Sequence, residues 1–165
     1  PRAAATCPLA SSVAPAACSE TPMSDLVSAY RLPATPDPAG VMIDLVLGMI
    51  DRPRLAERSV NVDLPSRLES AVPFVLIHHW DGDSDRFGIR AVVDVSVFAS
   101  LYRDARNLAL EIEAKLLGYP HRVSSGGRSV LVDMVEVATG TREVEWQRDS
   151  TVRRFQATYT FSIRR

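Results

Sequence analysis

Lysine is all but missing from this chain. Lys115 is the single lysine among 19 basic side chains, and the rest are arginine. We read the skew first as codon bias of a GC-rich genome; a second reading is that arginine serves bidentate and stacked contacts at interfaces. Acids and bases nearly cancel, 20 against 19, for a formal charge of -1. That balance gives no electrostatic case for binding nucleic acid or a membrane surface. No apolar run approaches the roughly 18 residues that a membrane-spanning helix needs. Cysteine is confined to Cys7 and Cys18. Two cysteines do not make a disulfide framework, and free thiols are expected over a bridge. The signatures of catalysis are also missing: there is no GxSxG, HExxH, CxxC or GxGxxG,. Neither an enzyme nor a cofactor is expected.

What the chain does have begins with an arm of Ala, Pro, Ser and Thr over residues 1–36. It has little to bury and is not expected to fold alone. The run Pro15-Ala16-Ala17-Cys18 faintly suggests a lipoprotein signal, but Pro8, Ser11, Ser12 and Pro15 interrupt the apolar region such a signal needs,. Met23-Ser24-Asp25 reads as an ordinary start. The arm is expected to lie extended across a neighbouring copy or an adjoining ring, with Leu9, Val13, Leu26 and Tyr30 as its apolar anchors. Arg153 and Arg154, at the head of the last strand, join them as candidate contact residues.

Residues 37–165 read as one domain organised around Ile89–Gly118. Ile89, Ala91, Val93, Val95 and Val97 alternate with polar residues at strand period. The period then changes: Leu101, Ala105, Leu108, Ile112 and Leu116 recur at helical spacing. Ser100 suits the N-cap, and Gly118 with Pro120 suits the stop. A long strand thus hands over to one amphipathic helix, which buries both apolar faces by folding back on the sheet. Upstream, Asp37 and Pro38 open a first helix with an apolar stripe of Val41, Leu45, Met49 and Ile50, ending near Pro53. A short strand at Val60–Val62 precedes a central strand at Phe74–Trp80, which pairs with Arg86–Phe98 as a hairpin around Asp81–Asp85. Pro120–Arg128 reads as a loop. The rest reads as three strands: Ser129–Val137, Glu143–Arg148 and Thr151–Ile163, separated by turns at Ala138–Arg142 and Asp149-Ser150. The fold class expected is α+β: a mainly antiparallel sheet, built from a hairpin and a three-stranded meander, with two helices packed on one face.

Three clusters invite a chemical reading. His78-His79 suggests a metal pair, but adjacent strand residues point to opposite faces and cannot easily share an ion. Asp81-Gly82-Asp83-Ser84-Asp85 has the alternating carboxylates of a calcium loop. Arg86 and Val92 stand where an EF-hand needs Gly and Glu, so a solvated turn is favoured over weak calcium binding. Ser124-Ser125-Gly126-Gly127-Arg128 lacks the lysine and the helix of a phosphate-binding loop. No metal site is expected. Two strands, by contrast, ask for a partner. The final strand is aromatic on one face, and Val92 and Phe98 fall on the nominally polar face of Ile89–Phe98, so both sheet faces are expected to need cover: the helices on one, and on the other either a neighbouring subunit or the chain's own arm or long loop.

The order and flavour of these segments resemble the tail terminator proteins of long-tailed bacteriophages. The stretches that carry the resemblance are Met42-Ile43-Asp44, Pro73-Phe74-Val75, Val93-Asp94-Val95-Ser96-Val97-Phe98-Ala99, Tyr102-Arg103-Asp104-Ala105-Arg106-Asn107-Leu108-Ala109 and the closing strand Phe155–Ile163. The resemblance spans roughly residues 37–165 and omits the arm. It implies a structural virion protein with no catalytic residues. Such a protein forms a hexameric ring that caps the tail tube, stops its polymerisation and offers the joining surface to the head. The implied partners are further copies of the chain, the tail tube protein and a head-closure or connector protein. The genome would pass through the lumen without sequence-specific binding. Alternatives left open are another neck, connector or tail-tube component, and a small metal-binding cytoplasmic protein using His78, His79 and the Asp81–Asp85 turn.

Overall fold

The structure, a computed structural model, describes residues 35–50, 59–118, 120–146 and 151–164. The arm residues Leu9, Val13, Leu26 and Tyr30, and both cysteines, lie outside the described residues. Residues 35–165 group as one unit by their contacts.

The first helix, α1 (Pro38–Met49), starts as its sequence demands. The Asp37 carboxylate accepts hydrogen bonds from Ala39 N and Gly40 N at 3.3 and 3.0 Å, and Pro38 occupies the first turn, where no N–H is needed,. Val41, Met42, Leu45 and Val46 form its buried face. The second helix, α2 (Tyr102–Leu116), buries Ala105, Leu108, Ala109, Ile112 and Leu116. Its start departs from expectation. Leu101, not Ser100, is the N-cap, and no side chain caps the first turn. Leu101 is accordingly 61% exposed rather than part of the apolar stripe. The sole lysine ties the two helices together: Lys115 Nζ donates to the Met49 carbonyl at 2.5 Å and to Glu111 Oε1 at 2.9 Å. A carbonyl left orphaned at the end of α1 thereby gains a cationic donor.

Six strands form one mixed, mostly antiparallel sheet. They are β1 (Val60–Asn61), β2 (Phe74–Ser84), β3 (Gly88–Ala99), β4 (His121–Ser125), β5 (Arg128–Glu143) and β6 (Arg153–Arg164), in spatial order β1-β2-β3-β6-β5-β4. Only β1–β2 is parallel. The expected hairpin and meander need correction at three places. β2 does not stop at Trp80: it continues to Ser84 across a register shift between His79 and Asp81. The expected turn at Ala138–Arg142 does not form; β5 runs through it to Glu143, bending at register shifts instead of reversing, and Val144–Trp146 beyond it is not the strand expected at Glu143–Arg148,. The expected loop at Pro120–Arg128 is mostly strand β4, because Val123 pairs with Val130 and both are buried. Only Gly126 and Gly127 make the turn there, at φ of 57° and 76°, the doubly positive conformation of a two-residue hairpin,.

β3 and β6 are the centre, paired without interruption from Gly88↔Arg164 to Ala99↔Arg153. At Gly88 the strands approach so closely that a Cβ would lie 2.5 Å from the Ile163 carbonyl oxygen, which only glycine tolerates. Residues of one parity in each strand face the helices. Ile89, Ala91, Val93, Val95 and Val97 of β3, with Phe155, Ala157, Tyr159, Phe161 and Ile163 of β6, form one core cluster with both helices. A second, smaller cluster of Leu68, Phe74, Phe98 and Val152 sits on the reverse face, with Leu64 and Trp146 against it. The chain therefore covers Phe98 itself. Of the two covers expected for this face, the chain's own connecting segment supplies it at that end of the sheet.

Candidate interaction surfaces

The rest of the reverse face is polar and internally satisfied. Cross-strand register places Asp94 opposite Thr158, and Ser96 opposite Gln156. The Asp94 carboxylate accepts from Thr158 Oγ1 and from Gln156 Nε2, both at 2.5 Å. Gln156 Oε1 in turn accepts from Arg154 Nη2 at 2.8 Å, and Arg154 also donates to Ser96 Oγ at 3.1 and 3.3 Å. The guanidinium lies 5.7 Å from the Phe98 ring centroid and 5.5 Å from that of Trp146. Burial lowers the Arg154 pKa, and the Asp94 charge partly opposes that shift,. Asp94 and Ser96 are the only buried polar side chains in the core of the described residues. A carboxylate at such a position must be hydrogen-bonded to be tolerated, and this one is.

Of the residues expected to make contacts, Arg154 is thus committed within its own sheet. Arg153, one position along, points the other way and is exposed, 3.9 Å from Glu143. The structure turns these neighbours to opposite faces of β6. His78 and His79 are both exposed, opposite Asp94 and Val93 respectively, and so lie on opposite sides of the strand. His78 meets Trp80 edge-on at 4.9 Å between centroids. In the acidic stretch, Asp81 Oδ1 accepts from Gly82 N, and Asp85 Oδ1 accepts from Phe87 N and Gly88 N at 2.7 and 2.8 Å. Asp85 therefore shapes the hairpin turn. Among the described residues, no group of three or more His, Cys, Asp or Glu could hold a metal ion, and no helix is long and apolar enough to cross a membrane.

Sequence reasoning overlooked exposed apolar side chains in two regions. In the β2–β3 hairpin, Trp80, level with Val92 and Val93, and Phe87, at the turn, are 66% and 67% exposed. At the start of α2, Leu101 and Tyr102 are exposed, next in sequence to Ser100, which with Val72, Pro73, Asp104, Asn107 and Leu108, among others, lines a hollow of about 290 Å³. The signal for the first was present: Trp80 and Phe87 flank an acidic turn where no apolar period continues.

No family model matches the chain, and no curated protein matches it. Among solved structures, it is similar to a chain of the virion of a native gene transfer agent particle. The likeness has 17% identity and a TM-score of 0.46, over 77% of this chain and 97% of that one.

Proposed function

We propose that this chain is a structural subunit of a phage-type virion that assembles into a homo-oligomeric ring at the tail–head junction and acts as a tail terminator. The observation that carries this reading is where the resembling segments fall. Val93–Ala99, Tyr102–Ala109 and Phe155–Ile163 lie on β3, α2 and β6, the two central strands and the helix that packs on them. The polar groups on the reverse face are spent on one another rather than gathered at a cavity. Large apolar side chains, Trp80, Phe87 and Leu101 among them, are instead exposed, as assembly surfaces require,. Within this reading residues 1–36 are an arm reaching a neighbouring copy through Leu9, Val13, Leu26 and Tyr30, and Arg153 contributes to the contact surface. The tail tube protein and a connector protein dock on opposite sides of the ring, and the genome passes through its lumen.

Two experiments test this. Negative-stain imaging of the purified chain is expected to show six-fold rings. A phage lacking the protein is expected to make tails of uncontrolled length that fail to join heads. Rings combined with normal tail length would move the chain to another neck or tube position. Normal tails and normal joining would refute the assignment altogether.

A further inference from the structure

We infer that the outer half of β5, Ala138–Glu143, is a strap that opens from the edge of β6 as a unit, and that Glu113 of α2 is the catch that holds it shut. The inference stands apart from the oligomeric reading above, because it concerns the single chain.

The strap is the least covered stretch of β5. From Met134 to Val137, β5 follows β6 residue for residue. The register then slips twice, between Val137 and Thr139 and between Thr139 and Arg142. Six residues of β5, Ala138–Glu143, thus run along four of β6, Phe155–Thr158. Slips of this kind leave residues out of the ladder. None of the six is buried, whereas Val130 and Val132 of the inner half are. On the outer side β4 gives no cover, since it pairs with β5 only from Arg128 to Val132. A segment with an interrupted ladder and no buried side chain opens at lower free energy than its surroundings.

Both ends of the strap are nonetheless fixed. The inner end continues the regular ladder through Val137. At the outer end, Val144 N–H donates to the Arg154 carbonyl at 2.9 Å, and Trp146 meets the Phe98 ring edge-on at 5.1 Å between centroids. Opening therefore lifts the middle and leaves the anchors in place.

The middle is held from α2. The second slip passes over Gly140 and Thr141, neither of which has a partner residue on β6. Thr141 is satisfied by the helix instead: its N–H donates to Glu113 Oε2 at 3.2 Å, and its hydroxyl donates to the same oxygen at 2.6 Å. A backbone N–H that leaves the ladder needs such an acceptor, and a carboxylate is a stronger one than a carbonyl. Thr141 also shares a hydrogen bond with the buried Tyr159. Lys115, the nearest base along α2, is committed to Glu111 and to the Met49 carbonyl. Glu143 adds only a screened pair with Arg153 at 3.9 Å,. One carboxylate oxygen thus takes both donors of the residue at the centre of the strap.

Beneath the strap lies an edge of β6, one of the two central strands. Unpaired strand edges are templates for pairing with another chain. Closed, the strap hides that edge from Phe155 to Thr158; open, it bares the edge and the Tyr159 hydroxyl. The device is a reversible cover on the centre of the sheet.

The test is amide hydrogen exchange of the full chain, read by mass spectrometry on peptides covering the strap, the β6 edge and, for reference, Val93–Val97 of β3. In the wild type the strap is expected to exchange at least about tenfold faster than the reference. Glu113→Ala is expected to speed the strap and the β6 edge together by about tenfold more, with the reference unchanged. Glu113→Gln keeps a side-chain oxygen facing Thr141 and is expected to stay within about threefold of wild type. Should Glu113→Ala fail to fold, Thr141→Val replaces it; this variant removes the hydroxyl donor and should speed the strap by about threefold. A strap that exchanges with the reference in every variant, or whose rate ignores Glu113 and Thr141, overturns the proposal. So does a Gln variant as open as the Ala variant, because the side-chain oxygen would then not be the catch.

Discussion

The two faces of the β3–β6 pair share one backbone and solve different problems. On the helix side, Phe155, Ala157, Tyr159, Phe161 and Ile163 are each at most 4% exposed and pack against α1 and α2 with no directional demand. On the reverse side, the alternating residues Arg154, Gln156, Thr158, Thr160 and Ser162 are half-buried, and Asp94 is satisfied only because Gln156 and Thr158 point at it. Apolar burial is additive and forgiving of the partner; a buried polar network depends on every member. The faces should therefore fail differently when altered.

The largest effect is expected on the helix side. Phe161→Ala removes a fully buried ring at the centre of β6 and should cost about 3–5 kcal/mol in urea unfolding. Asp94→Ala comes next, at about 1–3 kcal/mol, the cost of leaving the Gln156 and Thr158 donors without their acceptor. A double-mutant cycle with Thr158→Val should show coupling for Asp94, and one with Phe161→Ala should not. If Asp94 couples as strongly to Phe161 as to Thr158, the two faces are not independent.

Those two faces were unequally legible in the sequence. The helix-side residues announced themselves by period: Ile89 to Val97 and Phe155 to Ile163 alternate cleanly, and Leu108, Ile112 and Leu116 recur at helical spacing,. The α+β class and the strand-to-helix passage follow from those runs alone. The polar partners did not announce themselves. Asp94 and Thr158 are 64 positions apart, and only register brings them together. Val92 and Phe98 on the reverse face suggested a missing partner, whereas Phe98 packs with Leu68, Phe74 and Val152 of the same chain. β5 was misread as a strand ending at Val137, a turn and a further strand at Glu143–Arg148, because Gly140 and the threonines around it look like a turn; of that further strand only Glu143 belongs to β5. Local turn chemistry lost there to pairing with β6, which accommodates the extra residues as bulges,. The exposure of Phe87 and Tyr102 was missed because they belong to no periodic run, and that of Leu101 because its helical spacing suggested a place in the stripe.

A third prediction sharpens the comparison through pH. Tyr159 sits on the helix side, where burial first, and then the nearby Glu113 carboxylate, raise its pKa, with a Thr141 hydrogen bond acting against them. In the unfolded chain a tyrosine ionises near pH 10. Above that pH the unfolded state has lost a proton that the folded state keeps, so stability present below about pH 10 falls as pH rises further. The Tyr159→Phe variant should show a shallower decline above pH 10, and at pH 7 it should lose about 0.5–1.5 kcal/mol for its hydrogen bond. An unchanged slope would mean that Tyr159 ionises as readily folded as unfolded.

The smallest effect belongs to Arg153, and it tests the faces at their edge. Arg153 and Arg154 are adjacent in sequence and chemically identical, so any difference between them comes from which way β6 turns them. Arg154 gives two of its nitrogens to Ser96 and Gln156 and lies over two aromatic rings. Arg153 is 54% exposed, and its one ion pair, to Glu143 at 3.9 Å, is at the outer limit of contact. Solvent screens such a pair, and ordering two long side chains offsets most of the attraction. Arg153→Ala should therefore change the stability of the single chain by less than about 0.5 kcal/mol. Raising the salt concentration should leave the difference between wild type and variant nearly unchanged. Assembly should respond where folding does not, because within the proposed ring this exposed arginine is a contact residue. An Arg153→Ala chain that unfolds like wild type yet associates more weakly, with the gap closing at high salt, would place this arginine in recognition and Arg154 in the fold. Equal losses of stability for the two arginines would erase the distinction drawn between the faces.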